Sequence, residues 1–424
     1  MKIGIIGGGF TGLSAAYELS KLGHAVKVYE KNPQLGGLAS GYKQKDWSWP
    51  LEYSYHHFFA NDSIGLKLAK EIDQKVIIKR PKTSVLINGK MYQLDSISSF
   101  LKLPLLNPFE KIRMGLTLGF LKLNIFWKPL DKYKAEEVLP KLMGKKGFQL
   151  IWHPLFVAKF GQFVNEVSLA WFWARIKKRT SSLVYPEKGY LSFAENLKKA
   201  IEKNGGKVYL NAEVKQIKSG DVLEIKKENK ESEEKFDKVI VTVPSSIFET
   251  ICSDLPKLYK EKIESLKSLG ATNLILRLKD RFLEDGTYWL NVCEQDSPLM
   301  AVVEHTNFMD SKNYNNEHLV YIGHYVPINH RFFSEKKEDL LKEFDPYLKK
   351  LNKDYKKNLI DYDFFRVPFA QPIMTVEYSK KILPFKTPYA NIFLANMDQI
   401  FPWDRGVNYA IELGQKIAAY LNKN

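Results

Sequence analysis

The chain has 424 residues, 45% hydrophobic, 26% charged and 13% aromatic, with a formal net charge of +16. That balance excludes a disordered or low-complexity chain, and the length suits two domains, consecutive or interleaved. The basic excess admits nucleic acid, an anionic membrane face, an anionic substrate or mere lysine-rich coding bias. No zinc-ligand spacing and no RNA-recognition signature accompanies it, so neither a metal centre nor a nucleic-acid partner is expected. The two cysteines, Cys252 and Cys293, stand outside any C-x-x-C spacing. They argue against a disulfide framework and for a reducing, cytoplasmic setting.

The chain opens on a strand. "MKIGIIGGG" leaves no room for a signal-peptide core, and no clean run of about 18 apolar residues occurs, so neither a leader nor a spanning helix is expected. Residues 2–6 read as a buried parallel strand, 11–22 as a helix with Leu13, Ala16, Tyr17 and Ser20 on one face, and 25–30 as a second strand. Together they form a βαβ unit. Residues 60 to 180 read as mostly helical, with a hairpin turning at Asn88-Gly89 and an aromatic helical stretch over 148–179. The segment 100–130 is both apolar and basic. It reads as a helical cap over a pocket, with a dip into one membrane leaflet as the rival reading.

From residue 189 the pattern runs helix, Gly-Gly turn, two strands, a charged hairpin over 220–236 and an apolar strand stopped by Pro244. Residues 250–380 mix strands (273–280, 318–326) with helices (337–351). The end reads strand (391–396), loop (397–404), helix (406–421). No tether-like linker appears, so the domains are expected to interleave.

Gly7, Gly9 and Gly12 form G-x-G-x-x-G between the first strand and the first helix. The first glycine permits the tight turn, the second a close backbone approach to a diphosphate, the third helix-on-strand packing. The helix start offers free N–H groups to phosphate. Glu30, about 20 residues on, is placed to accept from ribose hydroxyls. Gly36 and Gly37 then add a second glycine loop, which a nicotinamide protein has no need of.

"GIIGGGFTGLSAAYELSKLGHAVKVYEKNPQLGG" resembles the N-terminal signature of the FAD-dependent amine oxidase superfamily. Leu38-Ala39-Ser40 stand where amine oxidases usually carry Arg, which is closer to the protoporphyrinogen oxidase and phytoene desaturase-like branch. "EKGYLSFAENL", "GGKVYLNAEVKQI" and "PWDRGVNYAIELGQKIA" resemble three further family segments. The resemblance implies an α/β fold. A Rossmann-like FAD-binding domain (1–60, 185–250, 380–424) would interleave with a mixed sheet-plus-helix substrate domain carrying a helical cap (61–184, 251–379). It implies non-covalent FAD on Gly7, Gly9, Phe10, Thr11, Gly12, Glu30, Lys31, Gly36, Gly37, Leu38, Val214, Arg405, Val407 and Asn408. A helix from Val407 would aim its N–H groups at the flavin edge that gains negative charge on reduction.

On the substrate side, the resemblance runs "LEYSYHHFFAND" past the flavin. Tyr53, Tyr55, Phe58 and Phe59 would line a pocket there, with His56 and His57 as candidate proton-transfer groups. It adds Arg366 and Gln371 as polar contacts, and Asp398, Phe401 and Trp403 near the flavin, the last two as an aromatic pair. Arg113, Lys159, Arg175 and Arg179 are cations able to hold an anionic substrate or lipid head groups, or simply ion-paired side chains. The implied function is an FAD-dependent oxidoreductase of oxidase or desaturase type, taking hydride from a small, apolar or lipid-linked substrate to flavin N5. Alternatives are a non-redox enzyme resembling UDP-galactopyranose mutase and a Rab escort-like binding protein. The expected location is cytoplasmic, with peripheral membrane contact; the oligomeric state stays open.

Overall fold

Short β-branched runs build the first sheet. The computed structural model describes residues 1–218, 220–228, 230–295 and 297–423. Lys2–Ile6 lies at the centre of a five-stranded parallel sheet. Ala25–Tyr29 and Lys207–Tyr209 flank it on one side, Lys238–Val241 and Ile392–Leu394 on the other. Ile3, Ile5, Val239 and Ile240 are fully buried, as a parallel sheet covered on both faces requires. Its strands therefore come from the start, the middle and the end of the chain.

Three helices cover one face. Phe10–Lys21 lies against Gly189–Lys203 and Val407–Lys423. The contact with the terminal helix is close: a Cβ at Gly414 would sit 2.4 Å from the Thr11 carbonyl oxygen. The Ser14 hydroxyl donates to the Ile411 carbonyl across the same seam at 3.0 Å. The opposite side carries a three-stranded antiparallel sheet, Ala212–Lys218, Val222–Lys227 and Lys230–Lys235. Its apolar side chains join Ile6, Tyr29 and Phe236 in one core.

The second half rests on a seven-stranded sheet. Its order is Leu359–Pro372, Ser268–Leu278, His318–Val326, Ala301–Glu304, Thr287–Val292, Lys82–Ile87, Lys90–Gln93. Every pair is antiparallel except Thr287–Val292 with Lys82–Ile87. One face is sealed by Lys337–Leu351 through Leu340, Leu341, Phe344 and Leu348, a helix-period stripe. The other face turns toward the first half.

A helical layer completes this half: Ile97–Lys102, Pro108–Leu123, Ala135–Met143, His153–Phe160 and Leu169–Lys178, with a core of its own. Pro108 opens the second of these behind a capping box in which Asn107 and Glu110 bond each other's backbone N–H at 2.9 and 2.8 Å.

The α/β class expected from sequence is the one observed. The turn at Asn88 (φ 51°) and Gly89 (φ 70°) has positive φ at both positions, as a tight hairpin turn demands. The aromatic stretch 148–179 is not one helix: Gly161, at φ 51°, ends His153–Phe160, and Leu169–Lys178 starts afresh behind the Ser168 cap. Substituting Gly414→Ala is expected to cost about 1–3 kcal/mol by forcing the helices apart. Gly115→Ala, whose Cβ meets nothing within 4 Å, is expected to be neutral or stabilising. Denaturation midpoints of the two variants check this.

Candidate functional site

The glycine loop is shaped by what cannot be added to it. Gly7 has φ 108°, and a Cβ there would lie 2.7 Å from the Thr242 hydroxyl. A Cβ at Gly12 would lie 2.1 Å from the Gly7 carbonyl oxygen. The second loop stacks on the first, backbone to backbone. The Gly36 N–H donates to the Gly8 carbonyl at 2.9 Å. A Cβ at Gly37, itself at φ 59°, would come within 3.1 Å of the Gly9 Cα. Leu38 sits in the short turn Gly37–Ala39.

Glu30 is buried at the edge of these loops. One carboxylate oxygen accepts from the Gly8 N–H at 2.7 Å, the other from the Asn32 N–H at 2.9 Å and its amide at 2.8 Å. The Phe10 side chain points into the core against Phe193, 5.2 Å between ring centres, so only its backbone faces the loop. Thr11 is buried and Lys31 is exposed. Val214 places its side chain in the core, beside a bulge that frees the backbone between Val214 and Gln216. The Ala212 N–H to Glu30 carbonyl bond, 2.9 Å, brings this strand alongside Glu30. A side-chain-free cradle, a helix N-terminus and a fixed carboxylate are the parts that hold a diphosphate and a ribose.

The far end is built around Asp404. Its carboxylate meets Arg175 at 2.6 Å, Lys159 at 3.1 Å and the Trp171 indole N–H at 3.1 Å. Burial alone would raise its pKa, but Lys159, Arg175 and Arg405 together hold it well below the carboxylate range. Burial, with Arg175 and Arg405 nearby, pushes the Lys159 ammonium well down against the pull of Asp404. Arg405 donates through Nε to the Gln371 amide oxygen at 2.9 Å and through Nη2 to the Tyr325 hydroxyl. Gln371 is fully buried. Next to Arg405, the Tyr409 and Ala410 N–H groups close the first turn of the terminal helix on the Gly406 carbonyl. Val407 and Asn408 head that helix, their own N–H groups unclaimed by its ladder. The Asn408 side chain accepts from the Gly65 N–H at 2.8 Å and so ties two helix starts together.

The histidines lie between these ends. His56 Nδ1 sits 2.6 Å from the Ser54 carbonyl, so it donates and leaves Nε2 as the acceptor. His57 Nδ1 lies 3.2 Å from the Tyr288 hydroxyl, within an aromatic ring set of Phe59, Tyr288 and Trp289. Burial lowers His56 to about 4. Burial, then Arg179, His56 and Arg175, lowers His57 to about 3. Both rings are neutral at ordinary pH. Tyr55 stands edge-on to Trp289 at 4.8 Å, and burial, then Tyr325, raises its pKa well above the ordinary value.

Not every expected residue joins this group. Arg366 does not. It is exposed on the other face of its strand, donating to the Phe332 carbonyl at 2.9 Å and to the Glu335 carbonyl. Its neighbour Phe365 faces Tyr53 instead, 4.5 Å between ring centres. Phe401 and Trp403 do not form a pair. Phe401 packs on Trp127 and Tyr378 (5.2 and 5.3 Å), while Trp403 is stacked between Trp173 and Tyr409 (5.4 and 5.9 Å). Asp398 accepts from the Ser245 hydroxyl at 2.6 Å. Arg113 donates to the Leu142 carbonyl at 3.0 Å, away from the site. Sequence reasoning missed Asp404, Tyr325, Tyr288 and Trp289. Only Asp404 had a signal, its place inside "PWDRG". Among the described residues, no group of three or more His, Cys, Asp or Glu could hold a metal ion.

Residues 10–422 match the model of a family described as flavin containing amine oxidoreductase. A zeta-carotene desaturase of Zea mays is 30% identical over 133 residues, 28% of this chain and 23% of the desaturase, so the chain spans under a quarter of that relative. A coproporphyrinogen III oxidase of Staphylococcus aureus is 21% identical over 355 residues, 71% of this chain and 73% of the oxidase. The solved structure of reduced UDP-galactopyranose mutase superposes with a TM-score of 0.75 at 14% identity, covering 100% of this chain and 95% of that one. At that identity the likeness establishes the fold alone.

Asp404→Asn leaves Lys159 and Arg175 without their shared carboxylate. It is expected to lower stability by about 3 kcal/mol, read by chemical denaturation. His56 and His57 have folded pKa values below the unfolded value of about 6.5, so the unfolded chain takes up protons first. Stability is therefore expected to fall as pH drops from about 6.5 towards about 4, with a shallower slope in His57→Gln. Unfolding free energies measured across that range check the sign.

Proposed function

Since the chain belongs to the flavin-containing amine oxidoreductase family, we propose that it is an FAD-dependent oxidoreductase of oxidase or desaturase type that binds its cofactor non-covalently. The observation that carries this reading is the stacking of Gly37 on Gly9, where a Cβ would come within 3.1 Å of the facing Cα. A second glycine loop laid on the first widens a side-chain-free cradle beyond what one diphosphate loop needs. We assign the cofactor to segments 1–60, 185–250 and 380–424, and the substrate to 61–184 and 251–379.

The backbone of Gly7 to Gly12, with Gly36, Gly37 and Leu38, would hold the diphosphate, and Glu30 the ribose. The free backbone beside Val214 would meet the adenine. Arg405 and the helix start at Val407 would face the flavin's electron-rich edge. When bound, FAD accepts two electrons as hydride from a substrate carbon. The chain supplies the rest. Tyr55, Phe59 and Gln371 wall the space and keep water out. The neutral Nε2 of His56 is the candidate proton acceptor, held by the Nδ1 bond to Ser54. Lys159, Arg175 and Arg405 converge on Asp404, and this excess of cations favours a neutral or anionic small molecule over an amine. The buried free thiols of Cys252 and Cys293 fit a reducing, cytoplasmic compartment.

The same cations would suit a sugar diphosphate, the second reading. One experiment separates them. Protein incubated with FAD and desalted is expected to be yellow and to release the flavin on denaturation. Gly37→Val is expected to weaken uptake at least about tenfold, about 1.4 kcal/mol. A colourless protein overturns both enzyme readings. Anaerobic bleaching by a candidate substrate supports the oxidoreductase. Turnover only after dithionite reduction, without net redox change, replaces it with the mutase.

A further inference from the structure

Eleven buried side-chain polar atoms among the described residues have no hydrogen-bond partner in the protein, and three of them lie close together. They are Asp62 Oδ1 and the hydroxyls of Tyr190 and Tyr409. Each belongs to the start of a different helix. Asp62 precedes Ser63–Glu71, Tyr190 is the second residue of Gly189–Lys203, and Tyr409 is the third of Val407–Lys423. The three starts meet. Asn408 holds the Gly65 N–H. The Phe58 ring fills the gap between Gly65, whose Cβ would come within 2.7 Å of it, and Tyr190, 5.2 Å away between ring centres. Burial raises the pKa of both tyrosines. Glu52 and then Asp62 raise Tyr190 further, and Asp62 leads the charges that raise Tyr409. Both hydroxyls therefore feel the Asp62 carboxylate.

Asp62 is 5% and Tyr190 0% exposed, and the other Asp62 oxygen already accepts from the Phe59 N–H at 2.8 Å. Buried polar groups rarely go unpaired, because the bonds given up with bulk water must be replaced. The donor set says by what. A carboxylate oxygen only accepts, and a tyrosine hydroxyl both gives and takes, so the partner must donate more than once and also accept. Water does, and an interior water makes about three such bonds.

The same place adjoins His56, whose ring lies 5.7 Å from that of Tyr190. A histidine held neutral by burial does not keep a proton it accepts, so the proton needs a way out. Asp62 stands at the other end. Asn61 and Ser63 beside it are exposed. Burial, against the Phe59 N–H and Lys178, lifts the Asp62 carboxyl to about 6, close enough to neutrality to take up a proton and release it.

We propose that Asp62, Tyr190 and Tyr409 hold an internal water that carries protons between His56 and the surface. The proton leaves His56 Nε2 for the Tyr190 oxygen, the Tyr190 proton passes to the water, and a water proton passes to Asp62 Oδ1. Each N–H or O–H bond broken is replaced by one formed, no electrons change hands, and His56 is neutral again. Tyr409 fixes the water from a third side. The water site stands on geometry; its use by His56 rests on the function proposed above.

Two measurements test it. High-resolution diffraction from crystals of the full chain is expected to show a water within hydrogen-bond distance of Asp62 Oδ1 and of at least one of the two hydroxyls. Density without water there, or the three atoms bonded only to one another, overturns the proposal. The second measurement uses protein loaded with FAD. Flash photoreduction draws a proton in along the same route, and a pH-indicator dye reads its uptake. Asp62→Asn is expected to slow uptake at least tenfold with melting temperature and FAD binding unchanged. Added imidazole, a small diffusible proton carrier, is expected to restore it. A merely structural carboxylate would lower the melting temperature and gain nothing from imidazole. Should Asp62→Asn melt early, Tyr190→Phe, which removes a hydroxyl and no packing, is expected to slow uptake likewise. A folded variant that takes up protons at the parent rate overturns the route. A colourless protein overturns the flavin reading instead. The water in the crystal is read without flavin, so the two failures are distinguishable.

Discussion

Two stretches of bare backbone meet where Gly9 faces Gly37, and the site depends on that contact. A side chain at Gly37, whose Cβ would lie 3.1 Å from the Gly9 Cα, would press the loops apart, and the residues on each would lose their common geometry. Gly12 and Gly414 serve the same end one layer further out. Gly12 lets the helix start lie on the loop, and Gly414 lets the terminal helix lie on the first. The terminal helix brings Arg405 and Asp404 with it. A run of close approaches thus links the N-terminal loop to the charged cluster at the other end of the site.

That cluster obeys a different rule. Asp404 is one carboxylate among several cations, and it is the charge that makes their proximity tolerable. Lys159 and Arg175 reach it from separate helices of the cap layer, so it also ties the cap to the segment that leads into the terminal helix. An ion cluster of this kind is weak support for stability in itself, because desolvation opposes it. It is better understood as fixing where the cap sits relative to the terminal helix, and as setting the sign of the potential that a bound molecule meets.

The glycines were legible in the sequence because backbone geometry restricts those positions to a single residue type, whatever packs around them. The strands were legible for a related reason: a short apolar run between turn signals admits few structures. Side-chain direction was not. Arg366 and Phe365 are adjacent, and strand alternation sends one to water and the other to the aromatic wall. Nor was the partner of Asp404, since Lys159 is 245 residues away. Trp403 and Phe401 flank a proline in sequence, and each finds its own aromatic neighbours, Trp173 and Tyr409 for the first, Trp127 and Tyr378 for the second. Sequence exposes what the backbone demands locally; pairing across the fold follows from register and helix placement.

The strand order of the parallel sheet has a consequence for synthesis. Lys2–Ile6 leaves the ribosome before the strands beside it and sits in the middle, yet its neighbours on one side are Lys238–Val241 and, beyond it, Ile392–Leu394. The opening glycine loop must therefore wait for nearly the whole chain before its sheet is complete and the terminal helix closes over it. Until then an apolar strand edge and the bare flank of the first helix stand open, which makes the nascent chain a natural client for chaperones. A ligand that bridged the opening glycine loop and the terminal helix would act as a latch between segments far apart in the chain.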